Sequence, residues 1–339
     1  MISDKRILYS VLELASVAAG STPADVFKNS LHLAQQVEGF GYNRFWLAEH
    51  HNMVSIASSA TSVLIGYIAG GTEKIRVGSG GIMLPNHSPL IVAEQFGTLG
   101  SLYPGRIDLG LGRAPGTDQA TAYAIRTDRM MAVHQFPQEV EQIKQYFSIK
   151  NASSKVRATV AEGVDVPIYI LGSSTDSARL AADKGLPYAF ASHFAPAQLF
   201  EALSIYYNTF QPSQVLQKPY SIACLNVIVA ETDYEAEKIS TSLVRLMLGV
   251  LTNKMDYMRP PEEPSREIRE LIQDPAFQRM FKYAFIGSKE TVKRKTQDFL
   301  KETGVNELMA VSHIYDHTDR VKSFKFFSEI MNEINQARD

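Results

Sequence analysis

Eight times along the chain a short apolar run gives way to a helical pattern, and this alternation constrains the fold more than any other feature. Strands separated by helices pair in parallel rather than as hairpins. The runs fall at residues 7–14, 44–48, 75–79, 106–111, 167–171, 188–191, 220–230 and 307–312. Between them, Ser21-Thr22-Pro23 and Ser88-Pro89 have the order of a cap followed by a first-turn proline. Ser173 and Pro196 open two further helices, and Pro137 opens one in the less regular stretch 117–165. Gly39, Gly41, Gly70-Gly71 and Gly185 end helices. Eight units predict an α/β fold, a (β/α)8 TIM barrel, which needs roughly 250 residues. The 339 residues present are read as one domain, 1–339, with a long insertion at about 231–306 between the seventh and eighth strands. That excursion is a candidate lid or an external helical hairpin, since long loops on the C-terminal face of barrels often cover sites.

Composition narrows the function. The net charge is −2, and Lys and Arg are scattered, so no basic face for nucleic acid is present. The single cysteine, Cys224, excludes an intrachain disulfide and sits in an apolar run that reads as core. No run approaches the roughly 18 apolar residues of a membrane span. The polar start (residues 1–6) lacks a signal-peptide layout, so the chain is expected to be cytoplasmic.

Four features at predicted strand ends bear chemistry. Glu49-His50-His51 follows the second strand, and alternation gives the two histidines different directions. Either one is hydrogen-bonded structurally and the other exposed, or at least one faces the barrel mouth. Gly78-Ser79-Gly80-Gly81 ends the third strand and permits close backbone approach, by a ligand or within a tight loop. Gly110-Leu111-Gly112-Arg113-Ala114-Pro115-Gly116 ends the fourth. It is not a dinucleotide fingerprint: the third glycine comes one residue late, and Pro115 disrupts a helix start. It reads as a loop that carries Arg113 either to a phosphate or to a surface acid. Gly172-Ser173-Ser174-Thr175-Asp176-Ser177 opens a helix, where free N–H groups make an anion site and serines also serve as caps. The fourth and fifth strands are neighbours in a barrel, so Arg113 and the serine turn should converge, with Asp176 pointing outward.

These residues together resemble the bacterial luciferase-like, flavin-dependent monooxygenases, in particular their alkanal monooxygenase alpha-like subgroup. The resemblance rests on Glu49-His50-His51, Val77 to Pro85, Pro104-Gly105-Arg106, Gly110 to Arg113 and Gly172 to Ser174. It implies a barrel holding FMN, used in its reduced form with O2 to oxidise a small organic substrate. It implies His50 as the catalytic histidine beside the flavin, with Glu49 next to it. Gly80 and Gly81 correspond to a cis peptide under the flavin ring. Gly112, Arg113, Gly172, Ser173, Ser174 and Ser177 correspond to the cofactor-binding turns, and Asp118 lies near the ring or substrate. Where the luciferase alpha subunit has an acid at the first turn position this chain has Ser173. Where that subunit has a reactive cysteine this chain has Gly112, so light emission is not implied. No nicotinamide fingerprint is present, so a separate flavin reductase is expected as partner. The family commonly dimerises, and the apolar helix at residues 60–69 is the candidate homodimer contact.

Three other readings compete. One is an F420-dependent reductase or dehydrogenase of the same superfamily, with a similar phosphate site. Another is a non-enzymatic flavin-binding protein. The third is a metal-dependent hydrolase using Glu49, His50 and His51, which the vicinal histidines fit poorly, so no metal is expected.

Overall fold

The computed structural model describes residues 6–114 and 116–338. Residues 1–5, read above as part of a polar lead into the first strand, and Pro115 lie outside the described residues.

The strands are β1 (Leu8–Glu13), β2 (Arg44–Leu47), β3 (Arg76–Ser79), β4 (Ile82–Met83), β5 (Ile107–Gly112), β6 (Ile168–Gly172), β7 (Tyr188–Phe190), β8 (Ser221–Ala230), β9 (Ala284–Ser288) and β10 (Glu307–Val311). Eight of them close a parallel ring in the order β1-β2-β3-β5-β6-β7-β8-β10. β10 closes it on β1, with Leu8 opposite Glu307 and Val11 opposite Ala310. The helices are α1 (Pro23–Gly39), α2 (Thr61–Gly70), α3 (Pro89–Leu102), α4 (Gln119–Ile125), α5 (Arg129–Phe147), α6 (Thr175–Asp183), α7 (Leu199–Thr209), α8 (Asp233–Leu251), α9 (Arg266–Gln273), α10 (Pro275–Met280), α11 (Lys289–Thr303) and α12 (His317–Gln336). This is the expected (β/α)8 barrel. Among the described residues, no helix is long and apolar enough to cross a membrane.

Strand alternation builds two cores. Val11, Phe45, Val77, Leu109 and Leu308 point outward under the helices. Leu12, Trp46, Tyr169, Cys224 and Met309 point into the barrel. The N-terminal floor of the interior is charged. Arg44 Nη1 donates to Asp108 Oδ2 (2.7 Å) and to the Tyr169 hydroxyl (2.8 Å). Its Nε donates to Glu307 Oε1 (2.8 Å). Arg76 Nε (2.9 Å) and Trp46 Nε1 (3.0 Å) also donate to Asp108.

The structure departs from the sequence reading at three places. α5 starts eight residues before Pro137 and carries it inside, because the stripe Ala132, Phe136, Val140, Ile143 packs continuously across the proline. The cap of α6 is Ser174 rather than Ser173. The excursion after β8 contains a further strand. β8 is twice as long as its neighbour β10, which pairs Ile222–Asn226 and leaves Asn226–Ala230 for β9. Within the same excursion Met258 is tied to the loop after β1: its N–H donates to Val17 O (3.0 Å) and its carbonyl accepts from Ala19 N (2.8 Å).

Candidate active site at the C-terminal mouth of the barrel

The loop after β2 separates its two histidines by role. Glu49 is 1% exposed. Its carboxylate accepts from His51 Nε2 (2.9 Å), His87 Nε2 (2.9 Å), Asn86 Nδ2 (3.1 Å) and the Met83 N–H (2.9 Å). Burial raises its pKa, but the bonds from His51 and His87 outweigh burial and hold it at about 2. Glu49 is therefore a permanent anion clamping the β4–α3 segment to β2. Expected at the chemistry, it is committed to positioning instead, because every one of these donors is a protein group.

His50 turns the other way. Its Nδ1 lies 3.3 Å from Gly116 O. A carbonyl only accepts, so Nδ1 carries the proton and Nε2 keeps its lone pair. Burial lowers the His50 pKa, so the ring is neutral near pH 7. The same loop bonds again where His51 N donates to Gly116 O (3.2 Å) and Thr117 Oγ1 to His51 O (2.8 Å). Asp118 is engaged by protein donors. It is the exposed N-cap of α4, accepting from Thr121 N (3.0 Å), Thr121 Oγ1 (2.7 Å) and Asn52 Nδ2 (3.1 Å). Those bonds, that from the Thr121 hydroxyl foremost, hold its pKa low.

The glycines of the mouth admit protein atoms. A Cβ on Gly80 would stand 2.6 Å from Leu12 Cδ1, and one on Gly81 2.8 Å from Gly110 O. The Gly80–Gly81 peptide is cis. A Cβ on Gly112 would meet Met83 Sδ at 3.0 Å, and one on Gly172 would overlap the Ser177 hydroxyl. Glycine at these positions lets strand ends and turns close on one another.

Arg113 and the turn after β6 do converge, but through Asp176, which was expected to point outward and instead lies against the guanidinium. Arg113 Nη2 is 3.5 Å from Asp176 Oδ2, in the first turn of α6. Both side chains are largely exposed, at 46% and 66%, so the pair is weak and yields readily to a stronger anion. Ser174 caps α6 by position, yet its side chain makes no capping bond. Among the described residues the first-turn N–H groups thus lack a side-chain acceptor, beside a guanidinium and the half-buried Ser173 and Ser174. That donor set fits a phosphate. Ser177 serves differently: its hydroxyl donates to Ser174 O (2.7 Å) and lies 3.0 Å from the Tyr188 hydroxyl, bracing the turn.

Two histidines that the sequence reading passed over also reach the mouth. His193 follows β7 and His313 follows β10, each directly after a serine. That repeated Ser-His step past a strand was the available signal. Burial pushes His193 down to about 4 and His313 to about 3. Both feel the charge of His50. Among the described residues no three His, Cys, Asp or Glu side chains are placed to share a metal ion.

Comparison with known proteins identifies the family. The chain is 48% identical to YvbT of Bacillus subtilis (strain 168), over 96% of this chain and 97% of that protein. It is 44% identical to a luciferase-like monooxygenase of Escherichia coli (strain K12), over 98% of this chain and 99% of that one. It is 33% identical to the N-acetyl-S-alkylcysteine monooxygenase of Bacillus subtilis (strain 168), over 97% and 95%. The crystal structure of apo-MsnO8 superposes with a TM-score of 0.89 at 33% identity, covering 96% of this chain and 99% of that one. The profile of the luciferase-like monooxygenases matches residues 9–307, and the chain belongs to that family as a flavin-dependent monooxygenase.

Proposed function

We propose that the protein binds reduced FMN at the C-terminal mouth and uses O2 to oxidise a small organic substrate. The observation that carries this reading is the meeting of Arg113 with the uncapped N-terminus of α6. Arg113, the first-turn N–H groups of α6, Ser173 and Ser174 would hold the phosphate. The bound flavin supplies the electrons: one atom of O2 enters the substrate and the other leaves as water. His50 holds or moves a proton at Nε2, because Nδ1 is spent on Gly116. Glu49 acts through the loop it clamps.

The excursion contributes a cover over the mouth, a reading supported by Met258 bound along the β1 loop. Reduced flavin comes from a separate reductase. Val63, 68% exposed, and Tyr67 lie one turn apart on α2, in the helix expected to face a second copy in a homodimer. The N-acetyl-S-alkylcysteine monooxygenase relative makes a thioether the first substrate to try.

The test supplies FMN, a flavin reductase with its nicotinamide, labelled 18O2 and N-acetyl-S-methylcysteine, with a panel of aldehydes and amines beside it. A product carrying one labelled oxygen is expected from at least one substrate. Tight F420 binding with substrate reduction and no label would overturn the proposal in favour of the deazaflavin enzyme. FMN binding with no labelled product from any substrate would leave a flavin carrier.

A further inference from the structure

The inward-facing positions of three strands run on into histidine. From β2 onward the series is Trp46, Ala48, His50; from β7 it is Ala189, Ala191, His193; from β10 it is Met309, Val311, His313. Trp46, Ala48, Ala189, Met309 and Val311 all lie in the barrel's interior cluster, which fixes the parity. Counted round the ring, β2, β7 and β10 are the second, sixth and eighth strands. Alternate strands share a layer of side chains, so the three imidazoles belong to one layer above that cluster. The fourth strand of the set, β5, has Gly110 and Gly112 at its inward positions and leaves the layer open on the side of Arg113.

The surroundings of this layer are specific. His313 feels Arg320, His193 and His50; His193 feels His50; His50 feels Glu49 and His51. Arg320 is held by Glu13 at 2.6 Å, and Glu49 by His51 and His87. Glu49 is thus the one acid that bears on the layer among the described residues, and it does so from behind His50. Among the described residues His193 Nδ1 is buried with no partner, as is the hydroxyl of Ser312. The backbone at His193 is fixed, since Asn226 Nδ2 donates to its carbonyl (2.7 Å) and Ser192 Oγ to Cys224 O (2.5 Å). His313 Nδ1 lies 3.3 Å from Ser16 Oγ. A buried nitrogen left without a partner in a rigid setting marks a place where a ligand supplies one.

We propose that His193 and His313, beside His50, recognise the substrate by its carboxylate, which takes N–H bonds from the layer while one imidazole gains a proton from solvent. The identity of that ligand as substrate rests on the monooxygenase reading above; the carboxylate site itself does not. Donors without a facing acid suit an anion, and a charge-assisted bond is roughly twice as strong as a neutral one. Burial keeps the two rings neutral when no anion is beside them. Linkage then requires that a bound carboxylate lift their pKa values.

The test uses protein carrying 15N-labelled histidine, titrated with propanoate and with its neutral isostere propanamide, with and without FMN. His193→Asn and His313→Asn, made singly, assign the resonances. Propanoate is expected to move the His193 and His313 ring signals, raise their apparent pKa, and bind about tenfold more tightly than propanamide. Equal shifts from both probes, or shifts confined to other histidines, would overturn the proposal. Flavin fluorescence followed in the same samples keeps the two readings apart. A carboxylate response without flavin binding sinks the FMN proposal alone, and the reverse sinks this one.

Discussion

Replacing Arg44 with methionine is expected to cost about 3–5 kcal/mol of stability, the usual cost of removing one partner from a buried ion pair. Arg44 lies in the barrel floor, bonded to Asp108, Tyr169 and Glu307. Its guanidinium lies 5.4 Å from the centre of Trp46 and 5.0 Å from that of Tyr169. Without it Asp108 keeps Arg76 and Trp46, but among the described residues Glu307 keeps only neutral donors, the hydroxyls of Ser10 and Tyr220. A buried carboxylate facing only hydroxyls must lose its charge or open the barrel seam between β1 and β10. Urea unfolding of Arg44→Met measures the loss. Adding Glu307→Gln should restore part of it, because no stranded charge remains. A single variant within about 1 kcal/mol of the parent would contradict this account of the floor, since that is the range of an exposed pair.

Acidification from pH 7 to pH 5 is expected to remove about 3–4 kcal/mol of stability through His193 and His313, and His317, which burial also holds at about 4, adds to that loss. Burial sets the folded values of His193 and His313 near 4 and 3, against an ordinary value of 6.5. Between those limits the unfolded chain binds protons that the folded chain does not. Stability therefore falls as pH drops below about 6.5. The carboxylates act later: Glu49, held at about 2 against 4.5, loses its contribution only as pH falls below 4.5. Unfolding free energies measured at intervals from pH 7 to pH 5 separate the two windows. A His193→Asn/His313→Asn double variant should remove the share of the slope due to these two rings and leave that of His317, whatever its stability at pH 7. An unchanged slope would mean that the two rings are not buried as described.

The barrel was legible because its signals are local. Alternation of short apolar runs with capped helices needs no long-range knowledge, and eight runs became the eight ring strands. The convergence of Arg113 with the Ser173–Ser177 turn was legible for a related reason: the two sit on consecutive ring strands, so adjacency followed from chain order. What the sequence hid depends on closure. Arg44, Asp108 and Glu307 are far apart in the chain and meet only once β10 joins β1. His193 and His313 look like isolated histidines until the parity of their strands is known. Glu49 looked like an active-site acid because it adjoins His50. One residue of alternation sends it to the opposite face, where the β4–α3 segment supplies its donors. β9 was missed because it depends on the unusual length of β8.

The most direct test of the central claim compares FMN with riboflavin, which lacks only the phosphate, on the parent protein and on Arg113→Ala. Fluorescence quenching gives the four affinities. The parent is expected to prefer FMN by about a hundredfold, and Arg113→Ala to erase at least about tenfold of that preference while riboflavin binding stays the same. If FMN and riboflavin bind the parent equally well, or if both weaken together in the variant, the phosphate is held elsewhere and the cradle at Arg113 and α6 is not the flavin site.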